Sequence, residues 1–125
     1  FTCCSTGTEV PADEPAGGYA SGGGFSLYEP RPAYQDAAVE QYLRNATIPK
    51  PPASSFNASN RAYPDVAALG NNIVVYQSGS WQLTGGTSAS APIVASILGL
   101  MNDWLLSNGK KPLGFANPLL YMMAA

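Results

Sequence analysis

The chain has 125 residues and a net charge of -2, and 11% of its residues are charged, against about 25% in ordinary domains. That length allows one modest domain, and the sparse, slightly acidic charge argues against nucleic acid as a partner and suits an extracellular or acidic setting. No uninterrupted apolar run of about 20 residues is evident, so no membrane span is expected. The chain opens at Phe1 without a methionine and closes on Met122-Met123-Ala124-Ala125, and we take it as a piece of a longer domain.

In chain order, Cys3 and Cys4 are neighbours that bridge each other only with strain, and with no histidine beside them they make no zinc site. Residues 1–24 have the composition of a strand end followed by a surface loop. Ser21-Gly22-Gly23-Gly24-Phe25-Ser26 marks a bend or a close approach. Gly22, Gly23 and Gly24 are candidates for peptide-substrate contact beside the plainer reading of a structural turn. A phosphate cradle would need a preceding strand and a nearby lysine, and neither is evident.

Tyr34 to Leu43 has the spacing of a short helix, with Tyr34, Ala38, Val39, Tyr42 and Leu43 on one face. Asp36 and Glu40 share its other face as solvated carboxylates rather than an acid-base pair, because the alanines beside them give little to desolvate them. Residues 44–64 read as a long loop. Within it Asn45-Ala46-Thr47 and Asn57-Ala58-Ser59 fit the glycosylation acceptor pattern, at Asn45 and Asn57. Pro64 to Gly70 reads as a short buried strand carrying Asp65, which needs hydrogen-bond partners and is assigned a structural role. A second strand, Ile73 to Gln77, ends in a turn at Ser78-Gly79-Ser80. A further strand is expected near Phe1.

Gly85-Gly86-Thr87-Ser88-Ala89-Ser90-Ala91-Pro92 delivers hydroxyls to the start of a helix. Pro92 is placed in the first turn, where its missing N–H costs little. Ile93, Val94, Ile97, Leu98, Leu100, Met101, Trp104 and Leu105 then form one wide buried face, closed by Asn108-Gly109. A serine at a helix start is most simply a cap. The same position suits a nucleophile, because the free N–H groups and the dipole favour an oxyanion.

The whole string decides between these readings. Gly-Thr-Ser-Ala-Ser-Ala-Pro resembles the nucleophile motif of subtilisin-like peptidases, in which the serine after Gly-Thr attacks. The strings Ser21 to Ser26, Arg31-Pro32-Ala33-Tyr34-Gln35, Arg61-Ala62-Tyr63-Pro64-Asp65-Val66-Ala67-Ala68, Gly79-Ser80-Trp81, Gly86 to Pro92 and Gly114-Phe115-Ala116-Asn117-Pro118-Leu119-Leu120-Tyr121 occur in family order. Together they resemble the sedolisin family of serine-carboxyl peptidases, which includes tripeptidyl peptidases.

The resemblance implies an α/β, subtilisin-like fold, here only the C-terminal portion of a mostly parallel sheet with flanking helices. It makes residues 1–125 a fragment of one peptidase domain acting on peptide or protein substrates, secreted or in a lysosome-like compartment. Ser88 is the implied nucleophile, with Gly86, Thr87 and Ser88 backbone near the oxyanion. The base would be a glutamate oriented by an aspartate on an earlier helix, and the oxyanion aspartate would also lie upstream. Asp36 and Glu40 have the wrong order and place for that pair. No metal ligands are assigned here: the family's calcium site lies beyond this segment. The missing N-terminal part of the domain is thus an expected partner, and the isolated chain is expected to be inactive. Two other readings are a relic whose serine motif is only a helix start, and an extracellular binding module using the asparagine-rich loop and Trp81.

Overall fold

A computed structural model describes residues 11–12 and 18–124. Cys3, Cys4 and the strand expected near Phe1 lie outside the described residues. In chain order the elements are strand β1 (Gly24–Pro30), a single 3-10 turn (Ala33–Gln35) running into helix α1 (Asp36–Arg44), a second 3-10 turn (Ala53–Ser55), and strands β2 (Asn60–Tyr63), β3 (Ile73–Gln77) and β4 (Ser80–Thr84). Helices α2 (Thr87–Ser107) and α3 (Asn117–Ala124) complete the set. The chain divides into two compact units. One holds the described part of Phe1–Gly22 with Ala67–Pro112, and the other holds Gly23–Val66 with Leu113–Ala125.

The protein is thus mixed helix and strand, but its described sheets are not parallel. Both are two-stranded and antiparallel, β1 with β2 and β3 with β4. In the second unit the glycine run expected to be a turn instead enters β1: Gly24 takes a φ of 152°, which few side chains tolerate, and pairs with Tyr63. Phe25 pairs with Ala62 and stacks on Phe56 at 4.9 Å. The register shifts between Phe25 and Pro30, where the Ser26 hydroxyl accepts the Tyr28 and Glu29 N–H groups at 3.2 and 2.9 Å. The predicted loop over 44–64 is therefore corrected at its end, since Asn60–Tyr63 form β2.

In the first unit β3 and β4 make a regular hairpin, from Ile73 opposite Thr84 to Gln77 opposite Ser80. Ser78 and Gly79 form its two-residue turn with φ of 53° and 80°, the handedness that matches the twist of paired strands. The alternation puts Val74, Tyr76, Trp81 and Leu83 on one face, and all four are exposed. Tyr76 and Trp81 meet edge to face at 5.1 Å.

The strand predicted over Pro64 to Gly70 is not formed. Its last two carbonyls, Leu69 and Gly70, are taken by groups at the start of α2 instead of by a neighbouring strand.

Helix α2 starts at Thr87 and ends where predicted. Gly109, at φ 68°, lets its own N–H reach the Leu106 carbonyl at 3.0 Å and the Lys110 N–H reach Leu105 at 2.9 Å. Pro92 lies in the second turn rather than the first, so it removes an intrahelical bond, the one its N–H would make to the Ser88 carbonyl. The predicted buried face is also corrected, because no residue of α2 is buried; Ile93, Val94, Leu98 and Leu105 are half-covered and Leu100 is 71% exposed. The 21 residues of α2 are long and apolar enough, by length and composition, to cross a membrane. This corrects the expectation that no stretch qualifies: its serines, Asn102 and Asp103 break the apolar run without lowering the average enough to disqualify it.

Candidate active site

The start of α2 is built by a close approach of two backbone segments. A β-carbon added at Gly85 would lie 2.9 Å from the Gly70 carbonyl oxygen and 3.0 Å from Asn71 Oδ1, so only glycine fits there without displacement. One added at Gly70 would overlap the Tyr19 hydroxyl and sit 3.0 Å from Ser90 Oγ. The Gly86 N–H donates to the Gly70 carbonyl at 2.7 Å, and the Tyr19 hydroxyl donates to the same oxygen. Ser90 Oγ donates to the Leu69 carbonyl at 3.2 Å. Residues 69–70 are thereby fastened to the helix start at two points and to Tyr19 at a third. Gly86 precedes the helix at φ 128° and ψ 157°, a backbone conformation natural only to glycine.

Ser88 stands on this platform as the second helical residue, exposed, with no side-chain capping bond at the helix start. Among the described residues its Oγ has no hydrogen-bond partner. The Ala89 and Ser90 N–H groups make the first bonds to the Gly86 carbonyl, at 2.9 and 3.3 Å, which leaves the Thr87 and Ser88 amides ahead of the helical ladder. A free hydroxyl beside free amides at the positive end of a 21-residue helix can stabilise developing negative charge. Among the described residues of the unit no base lies close by. Its described part carries one carboxylate, Asp103, fifteen residues along α2 and so roughly 22 Å away.

The second unit is organised around a polar side chain. Gln35 is 0% exposed, and its carboxamide nitrogen lies 2.9 Å from the Ala62 carbonyl, 3.0 Å from Asp65 Oδ1 and 2.9 Å from the Tyr121 hydroxyl. Its oxygen accepts the Ala62 N–H at 3.0 Å. The Tyr121 hydroxyl donates to Asp65 Oδ1 at 2.9 Å, and Arg61 pairs with Asp65 Oδ2 while donating to the Tyr34 hydroxyl at 2.7 Å. Burial, reinforced by the carboxylate it faces, pushes the Tyr121 hydroxyl above its ordinary pKa. The hydrogen bond to Tyr34 raises that of Arg61. Asp65 thus has the partners that its setting demanded, and they tie the 33–35 turn, β2 and α3 together.

Asp36 pairs with Arg31 at 2.7 Å, half-covered, and Glu40 with Arg44 at 2.8 Å, exposed, both within the second unit. Of the glycine run, Gly22 has open space around it, Gly23 makes ordinary contact with Tyr63 and Pro64, and Gly24 is explained by its φ. Asn45 and Asn57 are both exposed. The Gln35 network was missed by periodicity, because Gln35 shares a face with buried Val39 and polar residues are not counted as core. The fastening of Gly70 by Tyr19 was missed as well. Nothing at Tyr19 signals it, and at Gly70 only the glycine itself does.

Physarolisin from Physarum polycephalum is 46% identical over 125 residues, the whole of this chain and 22% of that protein. Tripeptidyl-peptidase 1 of Mus musculus is 52% identical over 104 residues, 82% of this chain and 18% of that protein. Aorsin from Aspergillus oryzae is 46% identical over 113 residues, 82% of this chain and 17% of that protein. No protein-family profile matches the chain. These relatives are sedolisin-family peptidases, and the chain belongs to the sedolisin family. It spans about a fifth of the length of the relatives it matches.

Proposed function

We propose that the chain is the C-terminal part of a subtilisin-like, serine-carboxyl peptidase domain in which Ser88 is the nucleophile. The observation that carries this reading is the contrast at the helix start: Ser88 is exposed, without a capping bond and beside free amides, whereas Ser90 is used to fasten the backbone. In the complete domain Ser88 Oγ attacks the carbonyl of a peptide bond, a glutamate from the preceding part of the domain takes its proton, and the same group returns it to the leaving amine. The Ser88 amide, with that of Thr87 beside it, faces the negative oxygen, whereas the Gly86 N–H, expected to share this role, is committed to the Gly70 carbonyl. A carboxylate base keeps its charge in acid, where histidine is protonated, so activity belongs in an acidic extracellular or lysosome-like compartment.

The exposed apolar residues of α2 and the β3–β4 hairpin are then surfaces for the rest of the domain, and α2 is a core helix rather than a membrane span. The calcium implied by the family falls to residues outside this chain. Among the described residues no three histidine, cysteine, aspartate or glutamate side chains gather to hold a metal, and no step is routed through one. The test is made in the complete protein carrying this segment: Ser88→Ala abolishes peptide hydrolysis at acid pH, and a serine-directed covalent inhibitor labels the wild type on the peptide containing Ser88. Hydrolysis surviving Ser88→Ala overturns the reading.

A further inference from the structure

We propose that Asn45 carries an N-linked glycan. Asn45 closes α1, its N–H reaching the Gln41 and Tyr42 carbonyls at 3.1 and 3.2 Å, so its backbone is fixed while its side chain stands in solvent. The side-chain oxygen accepts two bonds from the third residue of the motif, the Thr47 hydroxyl at 2.7 Å and the Thr47 N–H at 3.0 Å. Behind them the Lys50 ammonium holds the Asn45 and Ile48 carbonyls. With Oδ1 held by two donors, the carboxamide cannot turn freely, and no described group accepts from Nδ2. An open groove lined by Ala37, Glu40, Gln41 and Arg44 runs beside it and leaves room for a sugar.

The second motif is arranged differently. Asn57 Nδ2 donates to Asn60 Oδ1 at 3.3 Å, and only the Ser59 N–H, not its hydroxyl, reaches Asn57 Oδ1, at 3.0 Å. Asn60 is itself anchored to the Ser26 carbonyl at 2.7 Å. The nitrogen of Asn57 thus has a partner in the fold, whereas that of Asn45 has none among the described residues.

The transfer needs one co-reactant, a lipid-linked diphospho-oligosaccharide supplied by the host's transferase. Asn45 Nδ2 forms a bond to the anomeric carbon of the first sugar. The bond from that carbon to the diphosphate oxygen breaks, the lipid diphosphate leaves, and one Nδ2 proton passes to a base of the transferase. Neither partner is oxidised or reduced.

The experiment is glycopeptide mass spectrometry on the protein secreted by a eukaryotic host, before and after enzymatic removal of N-glycans. The expected result is a glycosylated Asn45 peptide in the wild type. Asn45→Gln and Thr47→Ala lose one glycan's mass, while Thr47→Ser, Asn57→Gln and Ser88→Ala keep the Asn45 glycopeptide. An Asn45 peptide recovered wholly unmodified from secreted wild-type protein overturns the proposal, as does an unchanged glycan number in Asn45→Gln. The wild-type map requires no variant to fold, and because Ser88→Ala leaves it intact, its failure is separate from any failure of the proposed peptidase chemistry.

Discussion

Ser90 Oγ donates to the Leu69 carbonyl at 3.2 Å, and through that bond the residue two places after Ser88 holds the backbone on which α2 begins. Losing one such neutral bond costs about 1 kcal/mol, or roughly a five-fold change in an equilibrium. In the complete enzyme Ser90→Ala should therefore lower kcat/KM about five-fold, against abolition by Ser88→Ala. Gly85→Ala should be worse than Ser90→Ala, because its β-carbon would lie 2.9 Å from the Gly70 carbonyl oxygen, a backbone atom that cannot swing aside, and overpacking of this kind costs about 1 to 3 kcal/mol. Steady-state kinetics of the three variants at acid pH check the order, and equal losses in Ser88→Ala and Ser90→Ala would remove the distinction between the two serines.

Gln35 is the fully buried side chain from which the second unit is tied together. Gln35→Ala strands the Ala62 N–H and carbonyl and withdraws a donor from Asp65, and each buried group left unsatisfied costs about 1 to 3 kcal/mol. Unfolding of the complete protein by denaturant should show a loss of about 3 kcal/mol or more. Asp36→Asn with Glu40→Gln, which touches one exposed ion pair and one half-covered pair whose arginine keeps its bond to the Ala58 carbonyl, should cost less, about 1 kcal/mol. A Gln35→Ala loss as small as that would mean the network contributes nothing to stability.

The Tyr121 hydroxyl titrates above its ordinary value, chiefly because it is withdrawn from water and then because it donates to Asp65. The folded state thus keeps this proton to higher pH than the unfolded chain does. Below the unfolded tyrosine value, about 10, its contribution to stability is fully present, and it is lost as pH rises through the folded value. Tyr121→Phe should lower stability at neutral pH by removing the bonds to Asp65 and Gln35, yet flatten the decline above about pH 10. Denaturant midpoints across the alkaline range measure both, and an equally steep decline in the variant would assign that titration to other groups.

Local signals made part of this fold legible. The hairpin turn showed as Ser78-Gly79, β3 as the apolar run Ile73 to Gln77, and the end of α2 as Asn108-Gly109, each dictated by residues close in sequence. What stayed hidden depends on distant partners. β1 begins in glycines and pairs with β2 some 36 residues later, so neither strand has a local pattern that declares it. Pro64 to Gly70 has strand composition, yet its Leu69 and Gly70 carbonyls serve Ser90 and Gly86, and that demand is invisible until the two stretches meet. That Ser88 stands at a helix start was legible through the motif around it. The hydrogen-bonding contrast with Ser90 was not, because it depends on which carbonyl comes within reach.

The chain by itself should neither unfold cooperatively nor hydrolyse peptides. Val39 is the one buried hydrophobic side chain among the described residues, while Leu100, Met101, Trp104 and Leu106 of α2 and Val74, Tyr76, Trp81 and Leu83 of the hairpin stand exposed. Each large apolar side chain left in water forgoes about 1.5 to 3 kcal/mol of burial. Domains are stable by only about 5 to 15 kcal/mol in total, so eight such residues outweigh the whole margin. Chemistry is limited separately: in the described part of its unit Ser88 has no carboxylate nearer than Asp103, and a serine hydroxyl without a positioned base is a weak nucleophile in acid. The purified chain should bind an apolar dye, melt over a broad range and leave a test peptide intact, whereas adding the preceding part of the domain should sharpen the transition and suppress dye binding. A monomer of the isolated chain that melts sharply and cleaves peptide at acid pH, with the cleavage lost in Ser88→Ala, would show that these surfaces need no covering and that the base lies within the chain.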